Sequence, residues 1–262
     1  MQANQQVAEW GMGQPPPVAL RALQSSLAKV VVSDVLPRVR REAVPRPMPR
    51  GEALARFAVG GNASGLAACV QELLDQGLYA EDICQLDLTD AARLMGEWWT
   101  SDRCSFVEVT LGVILLQDEL HRLAPRLRRR VPEGFGQSAL MLPAPGEQHG
   151  FGLSMVAEFF RASGWNVEKT HGGDAESRIA SADFALVAVT ASTPDRAMAL
   201  PPFIARLRAA SRYRQLVVMV GGAALNAEPS LLPLLGADAS APDAASALHR
   251  AEALVTLLAT HV

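Results

Sequence analysis

The sequence predicts an α + α/β protein: an N-terminal helical segment, a small helical-bundle cap domain, then a doubly wound parallel sheet. Three observations predict it. From residue 138 onward, short apolar runs alternate with amphipathic stretches, the pattern of strands joined by helices. The runs at 184–190 and 216–220 are apolar on both faces, as strands covered by helices on both sides must be. Residues 51–130, by contrast, place apolar side chains at helical spacing.

The chain has 262 residues, enough for two ordinary domains. Apolar residues make up 49% and charged residues 19%, the balance of a globular protein with a filled core. A formal charge of -3 gives no reason to expect nucleic acid or membrane as a partner of the whole molecule. Cys69, Cys84 and Cys104 are scattered and form neither a disulfide framework nor a metal pair. They read as small apolar side chains in a reducing cytoplasm. The N-terminus has no basic residue followed by an apolar run, and no uncharged stretch reaches the ~20 residues of a membrane span, so the expected location is cytoplasmic.

Residues 1–17 end in Gln14-Pro15-Pro16-Pro17, which excludes helix and suggests an extended arm. Residues 18–36 repeat Leu20, Leu23, Leu27, Val30 and Val31 as one amphipathic helix. Residues 37–50 alternate prolines with Arg38, Arg40, Arg41, Arg46 and Arg50, a linker that is either a solvated spacer or a surface for an acidic partner. These residues form the first segment, 1–50.

The second segment, 51–134, is the cap. Ser64 is positioned to cap a helix through Leu66, Val70, Leu73 and Leu74 that stops at Gly77. A short helix at about 80–87 and another from Asp90 to Trp99 follow. Ser105 and Glu108 have capping-box spacing and open a long helix with Val109, Val113, Leu116 and Leu120 on one face. Arg122, Arg126, Arg128, Arg129 and Arg130 suit its negative C-terminal end, and Pro132 and Gly134 mark the boundary.

The third segment, 135–262, carries strands at 139–143, 166–170, 184–190 and 216–220, with a weak fifth at 237–240. The intervening helices are expected at 151–162 (ended by Gly164), 175–182, 194–211 and 243–260.

In such sheets ligands sit beyond the carboxyl ends of the strands, where strand order reverses. The first strand is followed by Gly146-Glu147-Gln148-His149-Gly150-Phe151-Gly152, the third by Thr190-Ala191-Ser192, and the fourth by Gly221-Gly222. Taken singly, each has a bland reading: a loop histidine is usually solvated, and paired glycines usually make a tight turn.

Together the three resemble the cobalamin-binding domain family, whose pattern is D/E-x-H-x-x-G, then S-x-L, then G-G. Glu147, His149 and Gly152 match the first element. Thr190 and Ser192 match the second loosely, and Gly221-Gly222 matches the third. The resemblance implies a Rossmann-like cobalamin-binding domain, with cobalamin in an adenosyl-, methyl- or hydroxo form as cofactor. It makes His149 the lower axial ligand of cobalt, displacing the cofactor's own benzimidazole base. A neutral imidazole is a good cobalt ligand, and Glu147 is placed to accept its other N–H. A glutamine at 147 would keep an acceptor but no charge.

The detached nucleotide tail would need a slot between helix and sheet. Gly152 removes a side chain where the first helix must stand back from the tail, Gly150 beside it is an expected cofactor contact, and Gly221-Gly222 lets backbone amides approach. Thr190 and Ser192 hydroxyls are expected to meet the tail or the corrin amides. Ser154 is either a further contact or polar lining at the helix start.

Met95-Gly96-Glu97-Trp98-Trp99 is similar to the L-G-x-x-W segment of caps in methionine synthase, corrinoid methyl carriers and cobalamin photoreceptors. The likeness puts Trp99 over the upper corrin face; otherwise it is core filler. Light-sensing CarH-type members carry an E-H pair after that Trp. Val109 and Thr110 stand there in this chain, expected beside the cofactor but unable to ligate cobalt. No room remains for the DNA-binding helix-turn-helix of the CarH type.

Residues 102–112, Asp-Arg-Cys-Ser-Phe-Val-Glu-Val-Thr-Leu-Gly, resemble instead the AerR/PpaA antirepressor group of photosynthetic proteobacteria. That resemblance covers roughly residues 51–262. It implies no enzyme activity and no DNA reader, but a light-responsive antirepressor acting on a PpsR/CrtJ-type transcriptional repressor of photosynthesis genes. The helix at 18–36 and the Arg-rich linker are its expected partner surfaces. The alternative is a corrinoid methyl-carrier protein serving methyltransferases, which implies a compact chain beginning near the cap, whereas residues 1–50 precede the cap here. His121, His171, His249 and His261 leave the upper ligand open.

Overall fold

The computed structural model describes residues 50–127, 136–171 and 173–259. The arm, the helix at 18–36, the linker up to residue 49, Arg128–Arg130, Pro132, Gly134 and His261 lie outside the described residues.

Among the described residues, five α-helices build the first layer: α1 (Arg50–Val59), α2 (Ala63–Asp75), α3 (Ala80–Asp82), α4 (Thr89–Thr100) and α5 (Phe106–Leu123). Leu54, Ala55 and Ala58 of α1 are fully buried against α4 and α5, with Leu88, Ala91, Met95, Leu116 and Leu120 around them. The cap of α2 is Asn62 rather than Ser64. Its side chain accepts the Gly65 N–H at 2.8 Å, while the Ser64 hydroxyl donates to Asn62 at 3.1 Å. Both residue types cap helices, and the left-handed turn at Gly61 immediately precedes the one that does.

Nor is there a break between the two short helices expected near 80–99. Ile83–Leu88 form a π-helical stretch linking α3 directly to α4. No proline or glycine lies between 80 and 95 to interrupt it. The wider turn sends Ile83, Cys84, Asp87 and Leu88 all inward. Ser105 and Glu108 do form the reciprocal capping box that opens α5.

The second part is a four-stranded, all-parallel sheet: β1 (Ser138–Pro143), β2 (Asn166–Lys169), β3 (Leu186–Thr190) and β4 (Val217–Gly221), in the order β2-β1-β3-β4. Strand β1 alternates between faces. Ala139 and Met141 face α6 (Phe151–Ala162) and α11 (Ala244–Ala259). Leu140 and Leu142 face α7 (Ala175–Ser181), α8 (Pro194–Met198), α9 (Leu200–Ala210) and α10 (Ala223–Ala227).

The stretch 194–211, expected as one helix, is two. The prolines at 201 and 202 cannot donate, so α9 restarts at Leu200. The fifth strand shrinks to a single bridge between Met219 and Ala239. There the Asp238 carboxylate accepts the Val218 N–H at 2.7 Å, taking a donor that a longer ladder would use. Arg208 holds that carboxylate in place at 2.8 Å.

Helix α6 lies between the two parts. Leu153, Ala157 and Phe160 pack toward the sheet, while Met155, Phe159 and Ala162 enter the core of the helical layer. That double burial explains why so few of its residues are polar. The helical layer also reaches α11, where Gln85 accepts the Ala245 N–H at 3.2 Å and so satisfies a donor of the first turn. Among the described residues no helix is long and apolar enough to cross a membrane.

Candidate functional site

In a 2-1-3-4 sheet the chain departs in opposite directions from β1 and β3, and the loops at their carboxyl ends part to leave a crevice. The structure brings two of the sequence elements together at this point. The Ala144 N–H donates to Thr190 O at 2.8 Å, tying the start of the β1 loop to the end of β3. The loop then turns at Gly146, where φ is +75°.

Glu147 follows with its side chain pointing inward, only 2% exposed. One carboxylate oxygen accepts the backbone N–H groups of Gln148 (2.8 Å) and His149 (2.9 Å), and lies 2.6 Å from His149 Nδ1. The other accepts the Ser192 N–H at 2.8 Å and its hydroxyl at 2.5 Å. Burial pushes this carboxyl upward, but the hydrogen bonds from Ser192 and His149 outweigh it and hold the group at about 2. Glu147 is therefore a carboxylate at neutral pH.

A buried carboxylate that only accepts requires its partners to donate. The His149 tautomer that meets this requirement carries its proton on Nδ1, which leaves the Nε2 lone pair available. The ring points outward, with 76% of the side chain exposed. The result is an imidazole held at one nitrogen by a second-layer carboxylate and open at the other, the arrangement by which proteins orient a metal-ligating histidine. Among the described residues no three His, Cys, Asp or Glu side chains converge to hold a bare metal ion. A single imidazole suits a metal whose other positions are filled by a macrocycle.

Ser192 donates to Glu147 and so orients His149 at one remove. Thr190 is half-buried beneath Gly222. At Gly222, φ is +104°, and a Cβ would lie 2.4 Å from Ala191 O and 2.8 Å from Thr190 Oγ1. Glycine is obligatory there because β3 and β4 end against each other. Gly221 has only an ordinary contact to Ala241 O at 3.7 Å. A Cβ built on Gly150 or on Gly152 meets nothing within 4 Å, so the first turn of α6 borders open space. No side chain caps that turn. Ser154 is buried and accepts from Lys169 Nζ at 3.3 Å.

On the helical layer the adjacent tryptophans divide their roles. Trp98 is 7% exposed and fills the core, with the Arg103 guanidinium 4.9 Å from its ring. Trp99 is 45% exposed and meets Phe106 at 6.2 Å between ring centroids. Val109 is half-buried against the helical core. Thr110 is exposed, and its hydroxyl returns to Phe106 O at 2.8 Å.

Two residues near these loops were not singled out from sequence. Lys169 ends β2 at the same edge as the other motifs, so the strand-end rule could have found it. Arg196 on α8 donates from Nη1 to Pro145 O at 3.2 Å. No spacing rule relates positions 145 and 196.

No family model matches the chain. An uncharacterized 20.5 kDa protein in the bchF-crtJ intergenic region of Rhodobacter capsulatus is 29% identical over 162 residues, covering 60% of this chain and 84% of that protein. Among solved structures, the monomethylamine corrinoid protein of Methanosarcina barkeri superposes with a TM-score of 0.61 at 20% identity, over 79% of this chain and 96% of that one. The two share a fold: helices followed by a Rossmann-like parallel sheet. A cobalamin-binding protein from Desulfitobacterium hafniense aligns over 78% of this chain at 16% identity, with a TM-score of 0.41.

Proposed function

We propose that the chain binds cobalamin, with His149 as the lower ligand of cobalt, and serves as a regulator rather than an enzyme. One observation carries the cofactor reading: Glu147 and Ser192 hold His149 at Nδ1 and leave Nε2 open at the β1/β3 switch point. The open space beside Gly150 and Gly152 fits a bulky cofactor. The shared fold with a corrinoid protein supports the same reading. Bound cobalamin would supply a light-sensitive, exchangeable cobalt–ligand bond. The chain's part would be to hold one face and cover the other, with Trp99, exposed on the helical layer, as the covering side chain.

The finer role is that of an antirepressor acting on a PpsR/CrtJ-type repressor, switched by light on the bound cofactor. The relative from the bchF-crtJ region supports it, as does the resemblance of residues 102–112 to the AerR/PpaA group. A change of upper ligand would shift the helical layer only to the extent that the two ligand states bind its arrangements differently. The test is binding of the cobalamin-loaded protein to such a repressor, in darkness and after illumination. Affinities that differ support the role, and equal affinities contradict it.

A second reading is a corrinoid methyl carrier, favoured by the superposition that covers 96% of a methylamine corrinoid protein. Methyl transfer to or from the loaded protein by a partner methyltransferase would establish that reading and displace the first.

A further inference from the structure

Within six residues of β1, the loop 144–149 must turn Glu147 inward and His149 outward. Its two ends are tied to the β3 side. Ala144 is bonded to Thr190 at the start, and Glu147 is bonded to Ser192 at the finish. The middle, Pro145-Gly146, has no sheet partner. It is covered instead by Arg196.

Arg196 Nη1 donates to Pro145 O at 3.2 Å, and the guanidinium sits against Gly146, so that a side chain there would have to displace it. A Cβ on Gly146 would meet Nη1 at 2.2 Å, Cζ at 2.9 Å and Nη2 at 3.3 Å. Gly146 is thus constrained twice, by its φ of +75° and by the guanidinium above it. The root of Arg196 is set as well. Its N–H donates to Thr193 Oγ1 at 3.4 Å, in the first turn of the helix that follows Ser192. One short stretch, Ser192 to Arg196, therefore grips the loop at both Glu147 and Pro145-Gly146.

We infer that Arg196 is a positioning residue for His149. Laid over the Gly146 turn, it holds the loop in the shape that sends Glu147 to Ser192 and leaves Nε2 of His149 open. A planar fork suits the role, because one N–H donates to a carbonyl while the rest of the group stays against the turn. Part of the test rests on the cobalamin reading above, and part does not.

Four variants test it: Arg196→Ala, Arg196→Lys, Gly146→Ala and the double variant Gly146→Ala/Arg196→Ala. In the protein without cofactor, Arg196→Ala should speed amide exchange at Glu147, Gln148 and His149 about fivefold, the size of one net hydrogen bond. The thermal midpoint should stay near that of the wild type. Arg196→Lys should fall between, since an ammonium can reach Pro145 O but cannot cover Gly146.

With cobalamin added, the absorption spectrum reads the share of cofactor ligated by His149 against the share carrying its own base. That share should fall in the same order. Gly146→Ala should do less harm beside Arg196→Ala than alone, because the clash with the guanidinium is gone.

Wild-type exchange and wild-type ligation in Arg196→Ala would overturn the inference, as would strictly additive effects in the double variant. If the wild type takes up no cobalamin at all, the cofactor reading falls. The exchange rates then decide the role of Arg196 by themselves.

Discussion

Replacing Glu147 by glutamine is the substitution whose cost the structure defines best. The carboxylate accepts at both oxygens: from Gln148 and His149 at one, and from Ser192 at the other. An amide has one oxygen. Whichever way it is turned, its NH2 confronts N–H donors at one end, so the substitution is harsher than the retention of an acceptor suggests. The carboxyl is held at about 2 against an ordinary 4.5. That displacement corresponds to about 3 kcal/mol favouring the folded, ionised state. Because the folded value lies below the unfolded one, the contribution is complete above about pH 4.5, declines as pH falls, and is gone below about pH 2.

Urea unfolding of wild type and Glu147→Gln, monitored by circular dichroism without cofactor, reads this directly. The wild type should be more stable by about 3 kcal/mol at pH 7, and the gap should narrow by about 2 kcal/mol at pH 3. Equal midpoints at pH 7, or a gap that does not change with pH, would mean that the Glu147 carboxylate does not stabilise the fold through these bonds.

Gly222→Ala should destabilise by about 3 kcal/mol in the same unfolding assay, since its backbone region is nearly confined to glycine and the new Cβ meets Ala191 O at 2.4 Å. The paired tryptophans should separate cleanly. Trp98→Ala should cost about 3–5 kcal/mol as a core truncation, whereas Trp99→Ala should cost less than about 1 kcal/mol. Cobalamin binding by Trp99→Ala should weaken more for an adenosyl upper ligand than for a hydroxo one, measured by titration with each form. Cys84, whose thiol is pushed up to about 12 by burial and by the nearby Glu158 and Glu81, should resist alkylation at pH 8 until the protein unfolds, as followed by peptide mapping.

What could be read in the residues was whatever depends on neighbours in sequence. The buried parallel strands announce themselves because both of their faces need apolar side chains, and the α5 capping box depends only on positions 105 and 108. The Glu147-x-His149 pairing was legible for the same reason, its hydrogen bond spanning two residues.

The hydrogen bond from Ser192 to Glu147 was not, because it spans 45 residues. The fifth strand failed at one side chain: Asp238 competes for the Val218 N–H, a contact invisible to hydropathy. The π-helical join at Ile83–Leu88 is hidden because a wide turn uses the same apolar residues as two helices with a break between them. Arg196 over Gly146 is a contact between a guanidinium and a turn, and neither position marks the other.

On the proposed function, His149, oriented by Glu147, would hold cobalt. Titrating wild type and His149→Ala with hydroxocobalamin, followed by absorption, tests it most directly. His149 is largely exposed, so its removal should leave the fold and the unfolding midpoint intact. The wild type should bind with a spectrum showing the cofactor's own base replaced by imidazole. His149→Ala should bind at least tenfold more weakly, roughly the loss expected when a ligating or orienting partner is removed from a metal site, and without that spectrum. Equal affinity and an identical spectrum for the two proteins would contradict it.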